Sequence, residues 1–129
     1  MKLDGFGLLV KDMNKMVAFY KDVLGFEIQY QEGDGNVYLI KDGVLFLMYG
    51  RKDFENMVDA SFEYPRGKNG TFEIALSVSS YQDVDQTYQG LVKQGVEILM
   101  APKTMPWGQR TFYFADPEKN LIEIGSFQP

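Results

Sequence analysis

The sequence predicts an α+β fold: two βαβββ modules that form a curled mixed sheet with helices on the outer face. Three observations point to it. Each half of the chain passes from an apolar strand-like run, through a capped amphipathic segment, into further strand-like runs. Val10 and Val78 open the same feature in the two halves, and Tyr20 and Tyr88 fall at the same interval on matching helical stripes, as internal duplication requires. Finally, both helical stripes end on a glycine, Gly25 and Gly95, and the second runs slightly longer.

In the first module the apolar run Phe6–Val10 reads as a strand, and Asp12 is placed to cap the helix that follows. Met13, Met16, Val17, Tyr20, Val23 and Leu24 recur at helical spacing up to Gly25. Residues 26–31 read as a second strand and Glu32–Gly35 as a turn. Val37–Ile40 and Val44–Tyr49 read as a hairpin through Asp42-Gly43, the strongest short hairpin signal. The stretch from about 51 to 70, rich in glycine and charge, reads as a connection packed by Phe54, Phe62 and Tyr64.

The second module repeats the plan. Phe72–Val78 is a strand, Ser80 and Asp83 resemble a capping box, and Val84, Tyr88, Leu91 and Val92 form the helical stripe. Val96–Met100, Thr111–Ala115 and Leu121–Phe127 are strands, the last two joined by Asp116-Pro117-Glu118-Lys119-Asn120. The expected organisation is one domain over 1–129, with module one at about 1–50 and module two at about 71–129.

Composition narrows the chemistry. Among 129 residues there is no cysteine and no histidine, which removes disulfides, thiolate ligands and nucleophiles, and the commonest metal ligand and neutral-pH base. Thirteen basic residues against eighteen acidic ones give a net charge of −5 with no basic stripe, so nucleic acid is not an expected partner. No apolar run approaches the ~20 residues that span a bilayer, and the N-terminus has no signal-like stretch. No membrane partner and a cytoplasmic location are therefore expected.

Strand alternation sorts side chains between two faces. Phe6, Leu8 and Val10, with Leu45, Leu47 and Tyr49, Ile74, Leu76 and Val78, and Ile122, Ile124 and Ser126, are expected to pack on the helices. The opposite set is Gly5, Gly7 and Leu9; Val44, Phe46 and Met48; Glu73, Ala75 and Ser77; and Leu121, Glu123, Gly125 and Phe127. Small residues mixed with carboxylates and aromatics suit a ligand cavity.

The motifs Val10-x-Asp12-Met13, Phe19-Tyr20, Val23-Leu24-Gly25-Phe26, Trp107-Gly108, Asp116-Pro117 and Asn120-Leu121-Ile122-Glu123 occur in an order that resembles the vicinal oxygen chelate superfamily. That superfamily includes glyoxalase I, bleomycin resistance proteins and extradiol dioxygenases, and the resemblance covers essentially the whole chain. It implies a glyoxalase/bleomycin resistance/dioxygenase fold, with a cavity inside the curl and frequent dimerisation; a homodimer is thus an open expectation. It also implies four metal-ligand positions, which map by motif neighbours to Gly5, Phe46, Glu73 and Glu123. Glycine and phenylalanine donate nothing, so the set is degenerate, no cofactor is expected, and dioxygenase iron chemistry, which needs histidine, is not expected. A weak divalent-metal site at Glu73 and Glu123 stays open. The turn glycine of the family is replaced by Lys119.

Glu123 is the leading candidate, as a catalytic base or as a structural carboxylate, with Phe112 and Phe114 as expected neighbours that would strip it of water. Glu73 is second, and Arg110 is a candidate partner for either carboxylate. Phe46, Met48, Phe112, Phe114 and Tyr38 are candidate pocket walls, and Trp107, in the turn Pro106-Trp107-Gly108, is placed to close over a ring or cation. Two functions follow. One is metal-independent binding or sequestration of a small aromatic or cationic molecule, as the resemblance to bleomycin resistance proteins implies. The alternative is a lyase or isomerase of the glyoxalase type with Glu123 as base, for which the sequence offers no evident oxyanion stabiliser.

Overall fold

In the computed structural model, which describes residues 1–129, the chain divides between Tyr64 and Pro65 into two units, each with its own mixed sheet. The first comprises β1 (Gly5–Val10), α1 (Met13–Ala18) continuing into a π-helical turn (Phe19–Val23), β2 (Asn36–Lys41), β3 (Val44–Gly50) and α2 (Arg51–Val58). Its strands lie in the order β1-β3-β2, β1 parallel and β2 antiparallel to β3. Asp12 caps α1 as expected, its carboxylate accepting the Lys15 amide at 3.1 Å. Gly25 takes φ +76°, and Asp42-Gly43 takes φ +52° and +79°, the paired left-handed residues of a type I′ hairpin.

One face of this sheet forms the core of the unit. Cα partners point to the same side, so Phe6 with Phe46, Leu8 with Met48, and Val37 with Met48 share a face. The Phe46 ring lies 5.1–5.3 Å from the rings of Tyr20, Phe26 and Phe6. Phe46 and Met48 are 2% and 1% exposed. This corrects the sequence expectation, which put Phe46 and Met48 on the cavity side and Leu45, Leu47 and Tyr49 on the helix side. Every residue of Val44–Tyr49 is apolar or aromatic, so alternation gives no phase there, and the phase is set by pairing with β1.

Two further expectations change. Residues 26–31 form no ladder: Phe26 N–H donates to Tyr20 O and Ile28 N–H to Phe26 O, both at 2.9 Å, so these groups are spent on local turns. The buried Phe26 and Ile28 alternate with exposed Glu27 and Gln29, which mimics a strand pattern while serving only packing. The connection contains a helix, α2, which no side chain caps and which buries none of its residues. It ends at Asp59 with φ +54°, and the Glu55 carboxylate accepts the Phe62 amide at 2.8 Å.

The second unit has β4 (Asn69–Ser77), α3 (Tyr81–Lys93), β5 (Ile98–Thr104), β6 (Arg110–Ala115) and β7 (Asn120–Ser126), the full βαβββ order. The sheet runs β4-β7-β6-β5, with β4 parallel to β7 and the rest antiparallel. Ser80 and Asp83 form the expected cap: the Asp83 amide donates to Ser80 Oγ at 3.2 Å. Asp116 is 2% exposed and organises the β6–β7 turn by accepting the Glu118 and Asn120 amides and Asn120 Nδ2 at 2.8–3.0 Å. Lys119 in that turn has φ +71°, a conformation that favours glycine, and its ammonium reaches Glu97 at 2.6 Å.

Phe112 and Phe114, both 0% exposed, share a face with Ile122 and Ile124 and stack with centroids 5.6 Å apart. Tyr88 of α3 meets Phe112 edge-on at 5.5 Å. These side chains are the core beneath α3. They are not neighbours of Glu123 on its own face.

Candidate functional site

On the opposite face of the second sheet, three strands bring polar side chains together. Glu73 of β4, Glu123 and Gly125 of β7, and Thr111 and Tyr113 of β6 share this face, because Ala75 pairs with Glu123, Tyr113 with Glu123 and Thr111 with Gly125. The closing pair of the turn, Asp116 N–H to Asn120 O at 3.1 Å, dictates that register.

Glu123 is 7% exposed, and a carboxylate so buried needs donors. Its Oε1 receives two, Thr111 Oγ1 at 2.8 Å and Gln109 Nε2 at 3.0 Å. Gln109 Oε1 in turn accepts from Trp107 Nε1 at 3.0 Å, so an indole that is 61% exposed connects to a buried carboxylate through one amide. Tyr113 shares this face with Glu73 and Glu123 and sits opposite Glu123 in the ladder. Burial first, then the charges of Glu123 and Glu73, push its phenol up to about 12.

The expected residues therefore separate. Glu73, Glu123 and Trp107 belong to one connected cluster in the second unit. Phe46, Met48, Phe112 and Phe114 are core side chains. Gly5, in the first unit, faces away from Phe46 because it pairs with Leu45; a Cβ on Gly5 would meet Leu45 Cβ and O at 2.4 Å. Arg110 pairs with neither glutamate; its Nε and guanidinium donate to Asp85 Oδ1 at 2.9 and 2.8 Å. Tyr38 is 69% exposed. Thr111, Tyr113 and Gln109 are functional candidates that sequence reasoning missed. The legible signal was parity: with Asp116 and Asn120 as closing partners, Glu123 pairs with Tyr113.

The residues do not fit the divalent-metal centre that the four mapped positions would imply. Gly5 and Phe46 supply no donor and point to opposite faces of their sheet, and no three carboxylate, histidine or cysteine side chains gather to hold an ion. Two clefts of about 790 and 640 Å³ lie in the first unit, and neither is lined by Glu73, Trp107 or Glu123. Of the carboxylates lining them, Asp12 caps α1, Asp34 accepts the Gln31 amide at 3.0 Å, and Glu55 accepts the Phe62 amide, so these three serve local structure. No helix is long and apolar enough to cross a membrane.

Comparison with known proteins agrees with the architecture. The family model described as Glyoxalase/Bleomycin resistance protein/Dioxygenase superfamily matches residues 2–124, and the chain belongs to that superfamily. It is 34% identical over 127 residues to the uncharacterized protein YraH of Bacillus subtilis, covering 96% of this chain and 97% of that one. It is 26% identical over 115 residues to the metallothiol transferase FosB of Lysinibacillus sphaericus, covering 89% and 74%. A glyoxalase/bleomycin resistance protein/dioxygenase from Nocardioides superposes with a TM-score of 0.81 at 24% identity, over 99% of this chain and 84% of that chain, and establishes likeness of fold.

Proposed function

We propose that this protein binds, without a metal, a small molecule that carries a cationic hydrogen-bond donor on an aromatic body. The observation that carries the reading is two carboxylates on one sheet face with no cation beside them. Glu73 and Glu123 lie on one face of the second sheet, with Tyr113 opposite Glu123. Glu123 Oε1 is already engaged by Thr111 and Gln109. Arg110 is held by Asp85, so neither carboxylate has a basic side chain beside it, and an ammonium or amidinium supplies the opposing charge. Trp107, exposed and tied to Gln109, offers a π face beside the cluster.

Benzamidine is a suitable probe, because Trp107 is the only tryptophan. Excited selectively, Trp107 is expected to be quenched saturably by benzamidine at micromolar to millimolar concentration, equivalent to about 4–8 kcal/mol. Glu73→Gln is expected to weaken binding about tenfold, since it removes one charge from an exposed position without disturbing the core. Absence of saturation in the parent, or equal affinity for neutral benzamide, rejects the reading.

A second reading is supported by Tyr113. A phenol kept protonated to about 12 beside a fixed carboxylate can donate to a developing enolate while Glu123 takes the proton from the adjacent carbon. This supplies the oxyanion partner that the sequence alone did not reveal, for a lyase or isomerase of the glyoxalase type. Exchange of the α-hydrogens of dihydroxyacetone in D2O, followed by proton NMR, tests it. Accelerated exchange that both Tyr113→Phe and Glu123→Gln abolish is the expected result, and exchange at the buffer rate removes this reading.

A further inference from the structure

We infer that Gln109 is a positioning residue that aims Glu123, and that Trp107 and Gly125 exist in their present form to hold the Gln109 amide. The inference rests on the proposed ligand reading for its functional meaning, though its geometry is independent of it. An indole N–H can only donate, and an ionised carboxylate can only accept. Gln109 lies between the two, so its Oε1 must face Trp107 and its Nε2 must face Glu123, as found at 3.0 Å on each side. The chemistry at each end fixes the orientation of the amide.

The backbone makes room for this arrangement. A Cβ on Gly125 would lie 2.7 Å from Gln109 Nε2 and 3.1 Å from Thr111 Oγ1, so β7 is bare where the amide crosses it. The loop that carries Trp107 and Gln109 is closed by Met105 N–H to Gln109 O at 2.7 Å and Gly108 N–H to Met105 O at 2.9 Å. The Tyr81 hydroxyl, from the start of α3, donates to Gly108 O and ties the loop to the helix. Glu123 Oε1 is thereby committed to protein donors, which leaves the other oxygen as the carboxylate's remaining capacity. Gln109 acts through Glu123 and does not itself recognise the ligand. The role separates from simple structural support because it governs selection for charge.

The experiment compares the parent with Gln109→Glu, Gln109→Ala and Gly125→Ala, each checked for folding, and measures the affinity ratio of benzamidine to benzamide by titration calorimetry. Gln109→Glu keeps the acceptor for Trp107, removes the donor to Glu123 and adds a negative charge beside it, so the affinity ratio is judged on Gln109→Ala and Gly125→Ala, which add none. The ratio is expected to change about tenfold in each of these two, the equivalent of one charged hydrogen bond. The Trp107 indole N–H resonance should hold its position in Gln109→Glu and move in Gln109→Ala. An unchanged ratio in folded Gln109→Ala and Gly125→Ala overturns the inference, as does a parallel loss of both affinities, which is the mark of structural damage alone. If the parent binds neither probe, the ligand reading fails by itself and the NMR spectrum of the ligand-free protein decides the positioning role. The Gln109 side-chain amide resonances should then move on Glu123→Gln, and a spectrum in which they stay put overturns the inference.

Discussion

Phe46→Ala is expected to cost roughly 3–5 kcal/mol of unfolding free energy, which is a large part of what holds a small domain together. The ring is 2% exposed and touches three others, those of Phe6, Tyr20 and Phe26, at 5.1–5.3 Å. Truncation removes the transfer energy of the ring and leaves a void between β1, β3 and the π-helical turn that rigid aromatic neighbours cannot fill. Phe46→Leu should recover much of the loss, because volume rather than ring chemistry is at stake. Urea unfolding followed by circular dichroism measures both. A cost near zero for Phe46→Ala would put Phe46 back on an open, ligand-facing surface.

The same residue shows where the sequence was readable and where it was not. Helix caps and the Asp42-Gly43 turn were legible because each rests on a local rule: a carboxylate or hydroxyl at a helix start, two left-handed residues in a tight hairpin. The strand phase in β3 was not, because Val44–Tyr49 contains no polar residue to mark a side. The β6 error is different in kind. Arg110-Thr111-Phe112-Tyr113-Phe114 does alternate, but which phase meets Glu123 is set by the register through the turn from Asp116 and Asn120, and that register puts Tyr113 there and the two phenylalanines on the other face. Glu73, Trp107 and Glu123 were recoverable from strand and turn position. Their connection was not, because Gln109 and Thr111 matter only through distances that no spacing rule contains. The α2 helix escaped notice because it starts without a capping side chain and buries no stripe.

Tyr113 carries the other large effect, and it tests whether the two carboxylates act together on one site. In the parent its phenol is expected to titrate near 12, held up first by burial and then by the negative charges of Glu123 and Glu73. The folded state therefore keeps a proton that the unfolded chain releases near pH 10. The corresponding stability is fully present below pH 10, falls as pH rises through the interval to about 12, and is gone above it. Eight tyrosines share the absorbance band, so Cζ-labelled tyrosine NMR is the suitable measurement, with Tyr113→Phe assigning the resonance. Glu73→Gln and Glu123→Gln should each bring the titration back toward the ordinary value, Glu123→Gln further, because its charge acts on the phenol more strongly than that of Glu73. The paired variant should leave only the contribution of burial. A Tyr113 that titrates near 10 in the parent, or that ignores both substitutions, would mean that the two carboxylates do not crowd the phenol with negative charge, and the case for a cationic ligand would lose that support.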